Sequence, residues 1–347
     1  MIWATILSIE KTEEATYNSS LAKETMISQD IPLIDLHRHI EGSIRISTIL
    51  DLARQHNVDL PGGDEESLRP YVQIQNQQPG VMAFLEKFTL PMRTLVNLEA
   101  CRRIAYEAVL DAAAEGIDYI ELRFSPWFMA ESHSLSPQGV VEAVLDGVQA
   151  GKIESGIQAK LLGILSRTYG PDVAMKELEA MLPFAKSIVG LDLAGDEANF
   201  PAELFQQHFE RARDVGWKAT VHAGEAAGAE SVWQSIKVLG ALRIGHGLAI
   251  VKDPALMDFL FERQIGIEAN LTSNVQTSSV PDYASHPLKT FLENGLLASI
   301  NSDDPGISGI DLRYEYEVAA PKAGLSQAQI RQAQLNAVES SFCYGNF

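Results

Sequence analysis

The sequence is poor in cysteine, and this scarcity limits the kinds of site that it can build. Only Cys101 and Cys343 occur in 347 residues, and no pair of cysteines has the spacing of a metal-binding motif. Two distant cysteines exclude a disulfide-stapled scaffold and a cysteine zinc cluster. Such low cysteine usage is typical of a reducing compartment, so we expect a cytoplasmic protein.

Long apolar runs are also missing. No stretch approaches the roughly 20 apolar residues that a membrane helix needs, so we expect no membrane partner. The apolar residues 1–9 form a short run that has no basic start and is soon followed by Glu10, Lys11 and Glu13. A secretory signal peptide needs a basic start and a small-residue cleavage site, so that interpretation is disfavoured. We interpret residues 1–30 as an N-terminal extension, poorly ordered or docked on the surface.

Positive charge is scarce relative to negative charge. The chain has 27 lysine and arginine residues against 46 aspartate and glutamate residues, a formal net charge of −19. An acidic surface repels phosphate backbones, so a nucleic-acid polymer is a poor partner.

The length predicts one large domain over residues 31–347. We assume a monomer, because the sequence carries no direct signal of the oligomeric state.

Apolar segments alternate with amphipathic helical segments along this domain, which is typical of an α/β fold with a parallel sheet. Eight strands with intervening helices predict a closed (β/α)8 barrel, the TIM barrel. An open doubly wound sheet is the alternative, disfavoured because no glycine-rich dinucleotide loop follows the first strand. The predicted strands are 33–40, 118–125, 159–165, 188–194, 217–222, 242–246, 265–271 and 296–301.

The connection between the first two strands is unusually long. Residues 44–117 separate them, far more than a βα unit requires. The segment contains helical stretches around 46–56, 81–88 and 97–115. Because it follows the carboxyl end of a strand, it lies on the catalytic face of a barrel. We therefore predict a helical lid over a pocket.

Polar residues are concentrated where the predicted strands end. His37 and His39 lie on the same side of the first strand, because alternate side chains of a strand point the same way. His222 and Asp303 end the fifth and eighth strands. Two histidines in one strand are more often structural than metal-binding, but four strand ends meet at the mouth of a barrel. Three imidazoles and a carboxylate suit zinc with an open position for water.

Acid–base groups follow the same strand ends. Glu225, three residues after His222, can reach a substrate, although it could be an ordinary loop carboxylate. His246, flanked by glycines, has backbone freedom, although a core histidine is the alternative. Asp303 and Asp304 cannot both face one metal, so we expect one ligand and one substrate contact; a simple turn is the alternative. The remaining histidines are interpreted as structural or surface residues: His56, His133, His208 and His286.

Seven motifs in order resemble the adenosine and AMP deaminase family of the metal-dependent amidohydrolases, most closely its bacterial adenosine deaminases. They are HRHIEGSIR, ELRFSP, GLDLAGDE, TVHAGEAAG, RIGHG, LTSN and NSDDPG, and the similarity covers about residues 30–340. The resemblance implies a (β/α)8 fold, one catalytic zinc ion per chain, and conversion of adenosine to inosine and ammonia.

The resemblance also implies roles for individual residues. The matching positions of the zinc ligands are His37, His39, His222 and Asp303. Glu225 matches the acid that protonates purine N1, and His246 matches the residue that assists the attacking hydroxide, so these two and Asp303 are the implied catalytic residues.

On the substrate side, Gly195 matches a backbone donor to N3 and Asp304 the partner of N7. The helix with Phe84, Leu85 and Phe88 looks like the family's hydrophobic gate. His39 and Glu41 are the implied substrate contacts beside the first strand.

The sequence departs from the family pattern at Glu41, where adenosine deaminases usually carry aspartate. Glutamate is more typical of adenine deaminases, and its extra methylene can occupy the space of a ribose. The LTSN motif and its surroundings favour adenosine. Adenine, or a modified purine nucleoside, is the alternative substrate, and a non-catalytic purine-binding relative is a remote one. The chain also stops soon after the predicted helix 326–341, which puts its C-terminal packing in question.

Overall fold

A computed structural model of the protein describes residues 25–344. Within that range, eight parallel strands are hydrogen-bonded in sequence order. The ends of the sheet are joined where Asp303 N donates to His37 O (2.7 Å) and His39 N donates to Asp303 O (2.9 Å). The predicted (β/α)8 barrel is therefore confirmed. The strands are β1 Ile34–His39, β2 Tyr119–Phe124, β3 Gln158–Ser166, β4 Ile188–Ala194, β5 Lys218–Ala223, β6 Arg243–His246, β7 Gly266–Ala269 and β8 Ala298–Ile300.

Helices surround the barrel and form the long first connection. The α-helices are α1 Ile46–His56, α2 Glu65–Val72, α3 Val81–Leu85, α4 Thr89–Arg93, α5 Leu98–Ala114, α6 Pro126–Glu131, α7 Pro137–Ser155, α8 Pro171–Met181, α9 Gln206–Asp214, α10 Ala229–Lys237, α11 Pro254–Arg263, α12 Leu271–Gln276, α13 Leu288–Glu293, α14 Pro305–Ser308, α15 Leu312–Tyr314, α16 Ala320–Lys322 and α17 Gln327–Ser340. Within residues 25–344, none is long and apolar enough to cross a membrane.

The segment predicted to form a lid, residues 44–117, differs from its predicted helices in two places. Helix α2 was not predicted, because it buries only Leu68 and Val72 and has Pro70 inside, so its apolar periodicity is weak. The predicted helix 81–88 is instead α3 followed by a 3₁₀ turn. Strand β7 also ends two residues before its predicted limit, because Leu271 begins helix α12.

The barrel interior contains a buried network of charges below the catalytic face. Arg243 donates to Glu121 and Glu268, at 2.6 Å each. Arg123 donates to Glu268 (2.9 Å) and to Asp192 (2.8 Å). Each of these side chains is at most 1% exposed, so their charges compensate one another rather than being solvated.

The C-terminal residues close the other end of the barrel. Phe342 is buried, its backbone N–H donates to Glu121 (2.6 Å), and its carbonyl accepts from Lys218 Nζ (2.7 Å). The guanidinium of Arg243 lies 3.6 Å from the centre of the Phe342 ring. The described C-terminal residues are thus packed against the barrel.

Residues 25–32 lie against helix α17, while residues 1–24 of the predicted extension are outside the described residues. The buried amide of Gln334 accepts from Ser28 N (3.0 Å) and donates to Ser28 O (3.0 Å) and Ile31 O (2.8 Å). Arg331 and Asp30 form an exposed ion pair nearby. The division into an extension and a single domain stays a prediction.

Replacing Gln334 by alanine should lower the free energy of unfolding by about 1–3 kcal/mol, because buried backbone groups of Ser28 and Ile31 lose their partners. Thermal or urea unfolding measures the effect. The matched control is Gln327→Ala, at an exposed position in the first turn of the same helix, which should change stability by less than about 0.5 kcal/mol. Equal losses in both variants would show that Gln334 does not anchor this segment.

Candidate active site

Four predicted metal ligands meet at the carboxyl end of the barrel. His37 and His39 extend from β1, His222 from β5, and Asp303 follows β8. His37 Nε2 lies 3.1 Å from His222 Nε2 and 3.1 Å from Asp303 Oδ1. His39 Nε2 lies 3.3 Å from the same two atoms and from His37 Nε2. The parallel strands therefore bring together residues that are up to 266 positions apart.

These distances fit a tetrahedral metal ion. Zinc bonds of about 2.0 Å require ligand atoms about 3.3 Å apart. Five of the six possible ligand pairs are 3.1–3.3 Å apart. Nitrogen and carboxylate oxygen are also a donor set that zinc accepts. The cluster can therefore hold a metal ion without rearrangement of its side chains.

Carboxylates behind the histidines orient their rings. Glu268 contacts His37 Nδ1 (2.7 Å), and Asp192 contacts His222 Nδ1 (3.0 Å). Because each Nδ1 is occupied, Nε2 is left free for a metal. Arg123 links both carboxylates. The sequence analysis did not identify Glu268, Asp192 or Arg123. A charged residue within an otherwise apolar strand is the pattern that could have indicated them.

Two residues of the site have strained backbones. Asp303 and His246 have φ values of 60° and 64°, in the left-handed region that residues other than glycine rarely adopt. The hydrogen bonds between Asp303 and β1 hold this conformation at the end of β8. The strain is consistent with a functional role, because such conformations concentrate at active sites.

Glu225 is held at the mouth of β5 by a second carboxylate. Glu197 accepts from four consecutive backbone N–H groups, those of residues 224–227, at 2.5–3.2 Å. Burial raises the pKa of Glu225 to about 8, and the negative charges of Asp303 and Glu197 act in the same direction. A buried carboxyl that stays protonated at neutral pH can act as a general acid. Sequence reasoning did not find Glu197.

His246 lies beside Glu225 and the metal cluster. Its Nδ1 is 3.6 Å from Glu225 Oε1, and its Nε2 is 3.8 Å from Asp303 Oδ2. The amide of Asn274 lies 2.9 Å from Nδ1. Burial holds the pKa of His246 well below its usual value, so its imidazole is neutral. A ring nitrogen of His246 also lies within 4.8 Å of ligand atoms of His37, His222 and Asp303, so distance alone would allow His246 to be a metal ligand.

The cavity above the cluster, about 260 Å³, has one apolar and one polar side. Phe84, Leu85 and Phe88 of the lid form the apolar side, together with Phe128. The polar side carries the remaining predicted contacts: His39, Glu41, Gly195, Glu225, His246, Asp303 and Asp304. The structure therefore places every predicted substrate contact around one cavity.

Gly195 brings its backbone close to the cavity wall. Its φ of 112° is in the region that favours glycine, and a Cβ atom there would overlap Thr168 Oγ1. A larger residue would therefore displace the backbone that we expect to face the substrate.

Glu41 and Asp304 each carry one buried oxygen without a partner. Glu41 Oε1 accepts from Ser125 N (2.6 Å), whereas Oε2 has no partner, and Asp304 Oδ1 has none either. Burial raises the pKa of Glu41 to about 7. Burial, together with the charge of Asp303, raises the pKa of Asp304 well above its usual value. Both groups line the cavity and retain hydrogen-bonding capacity for a ligand.

Of the four histidines interpreted as structural or surface residues, one is connected to the site. His56 and His133 are at least partly exposed, and His208 contacts the carbonyl of Pro171 (2.8 Å). His286 is buried and contacts Asn274. His286 is therefore a buried residue that reaches the site through Asn274.

A (β/α)8 barrel with three imidazoles and a carboxylate at its carboxyl end has the architecture of a metal-dependent amidohydrolase. The sequence model of the adenosine deaminase family matches residues 32–346. The chain therefore belongs to the adenosine deaminase family, as the motifs predicted.

Individual relatives agree with this assignment. The adenosine deaminase of Escherichia coli O1:K1 is 57% identical over 91% of this chain and 95% of its own. The adenosine deaminase of Photorhabdus laumondii is 56% identical over the same shares. Among solved structures, the adenine deaminase of Arthrobacter aurescens has a TM-score of 0.84 at 26% identity, covering 91% of this chain and 95% of its own.

Asp192→Asn should lower metal affinity roughly 10- to 100-fold, because the ring of His222 loses its charged partner. Competition with a chelator measures this affinity. Arg123 keeps its pairing with Glu268 in this variant, which limits the damage to the fold. Asp214→Asn, an equal change of charge at an exposed position, is the control and should leave the affinity unchanged. Unaltered affinity in Asp192→Asn would contradict the orienting role.

Proposed function

We propose that the protein hydrolyses adenosine to inosine and ammonia, as an enzyme of purine salvage that uses one zinc ion per chain. The observation that carries this proposal is the position of Glu225 beside the metal-ligand cluster, inside a cavity with an apolar wall, where burial raises its pKa to about 8. The 57% identity to an adenosine deaminase supports the substrate.

Zinc is the metal that the donor set favours, with the ligands His37, His39, His222 and Asp303. When bound, zinc supplies the Lewis acidity that activates water at neutral pH. His246, neutral and 3.8 Å from Asp303 Oδ2, orients the attacking water toward purine C6.

Glu225 supplies the proton that the reaction needs at N1. Addition of water at C6 makes N1 basic, and a protonated carboxyl beside it neutralises the developing charge. The C6 hydroxyl then gives its proton to the amino group, which leaves as ammonia, so that the C6 carbonyl of the product forms while N1 keeps its proton. The proton released by the attacking water restores the acid form of Glu225. Asp304 donates from its protonated carboxyl to N7, an acceptor, which its raised pKa allows. The backbone N–H of Gly195 is the donor to N3.

The cavity favours an uncharged nucleoside over a nucleotide. Among residues 25–344, its lining includes Glu41, Glu197, Glu225, Asp303 and Asp304 and no lysine or arginine. A phosphate would lack a cationic partner there and would face carboxyl groups.

We also propose a cytoplasmic location, in keeping with two free cysteines. The monomeric state stays a prediction.

Adenine is the second candidate substrate, and Glu41 is the observation that favours it. Its side chain is buried at the edge of the cavity and is one methylene longer than the usual aspartate. The structural likeness to the Arthrobacter adenine deaminase agrees with this candidate. Adenosine remains our proposal, because the unpartnered Glu41 Oε2 can bond a ribose hydroxyl.

The activity should decline at alkaline pH. The raised pKa of Glu225 means that the carboxyl is protonated below about pH 8 and loses its proton above it. Because the acid form is required, kcat/KM for adenosine should fall about tenfold per pH unit above about pH 8. Initial rates between about pH 6 and about pH 10 measure this limb. Glu225→Gln should lack the limb and be slower by roughly 10²–10⁴; a flat wild-type profile would contradict Glu225 as the acid.

The substrate is tested with adenosine, deoxyadenosine and adenine in parallel, followed by absorbance change and ammonia release. The wild type should prefer adenosine. Glu41→Ala should reduce kcat/KM for adenosine by an amount equivalent to about 1–3 kcal/mol, because the ribose hydroxyl and Ser125 N lose a partner.

Glu41→Asp is the matched control, since it keeps the carboxylate and should change the activity on adenosine only modestly. Adenine, which has no ribose, should respond little to either change. If the wild type prefers adenine and Glu41→Asp opens the site to adenosine, then Glu41 excludes the sugar and the second candidate is correct.

A further inference from the structure

A chain of hydrogen bonds reaches the site from behind the cavity. The backbone N–H of Leu288 donates to His286 Nδ1 (3.1 Å), and His286 Nε2 lies 3.2 Å from Asn274 Oδ1. Asn274 Nδ2 lies 3.0 Å from Glu225 Oε1 and 2.9 Å from His246 Nδ1. His286 and Asn274 are 3% and 0% exposed, so water does not compete for these contacts.

The donor and acceptor of every hydrogen bond in this series follow from its first bond, between Leu288 N and His286 Nδ1. A backbone N–H can only donate, so His286 Nδ1 must accept. Burial lowers the pKa of His286 to about 3, so the ring is neutral and its single N–H is on Nε2. That N–H donates to Asn274, which must therefore present its oxygen to His286. The amide nitrogen of Asn274, with two N–H groups, then faces Glu225 and His246.

This direction has a consequence for both catalytic side chains. Glu225 Oε1 and His246 Nδ1 must accept from Asn274. A protonated Glu225 therefore carries its proton on Oε2. A neutral His246 carries its proton on Nε2, the nitrogen nearer to Asp303.

We propose that His286 and Asn274 are positioning residues that determine which atoms of Glu225 and His246 hold protons for the reaction. Neither residue lines the cavity, and neither contacts a zinc ligand. The inference rests on the proposed deaminase activity. Inactive wild-type protein on all the purines tested would mean that the proposed function has failed, whereas an active wild type allows the variants to be compared.

Two replacements of His286 separate the donated bond from a local structural role. Glutamine places an amide nitrogen near the position of Nε2 and can still donate to Asn274, but it loses the acceptor for Leu288. Asparagine places an oxygen near Nδ1 and can still accept from Leu288, but it does not reach Asn274. We expect His286→Asn to lower kcat roughly 10- to 100-fold with KM nearly unchanged, and His286→Gln to stay within about threefold of the wild type.

The variant Asn274→Asp provides a second test, because it removes the N–H groups that Asn274 donates to Glu225 and His246. The side chain keeps its shape but has no N–H to donate, so we expect a loss of kcat similar to that of His286→Asn, roughly 10- to 100-fold. Bound zinc and melting temperature, measured for each variant, should show full metal content and a folded protein. Wild-type kcat in Asn274→Asp would overturn the proposal. So would equal losses in the two His286 variants, or a greater loss in His286→Gln.

Discussion

The site depends on one buried charge, the guanidinium of Arg123. It bridges Asp192 and Glu268, and these carboxylates in turn hold the rings of His222 and His37. Two carboxylates this close in a dry barrel would repel each other without a cation between them, and removing one member of a buried charged network costs several kcal/mol. Arg123 therefore lets the barrel carry enough negative charge to orient a metal site.

The same distribution of charge sets the protonation of the substrate-facing groups. Asp303 is negative within the cluster, and its charge adds to the effect of burial in raising the pKa values of Glu225 and Asp304. In the proposed mechanism, two carboxyl groups thus act as donors at neutral pH, one toward N1 and one toward N7. A purine ring offers acceptors at both positions, so the electrostatics of the cavity are complementary to the ring.

Backbone N–H groups and side chains both help to position Glu225, the proposed acid. Four N–H groups of the turn that carries Glu225 converge on Glu197, and the chain from Leu288 through His286 reaches the carboxyl of Glu225 from the other side. Rigid support of this kind keeps reacting groups aligned, which is the main condition for efficient proton transfer. The lid, by contrast, contributes an apolar wall through Phe84 and Phe88.

The sequence by itself predicted the barrel and named the residues that we propose to react. Alternating strands and helices predict the fold because period and length are local properties, and His37, His222, Glu225 and Asp303 could be named as candidates because they lie at the ends of strands that must converge. Only the tertiary structure showed Arg123, Glu197 and the link from His286 to Asn274, and it alone revealed helix α2 of the lid. The physical reason is that these residues act through partners 12 to 145 positions away, so their roles depend on packing across the barrel rather than on neighbouring residues.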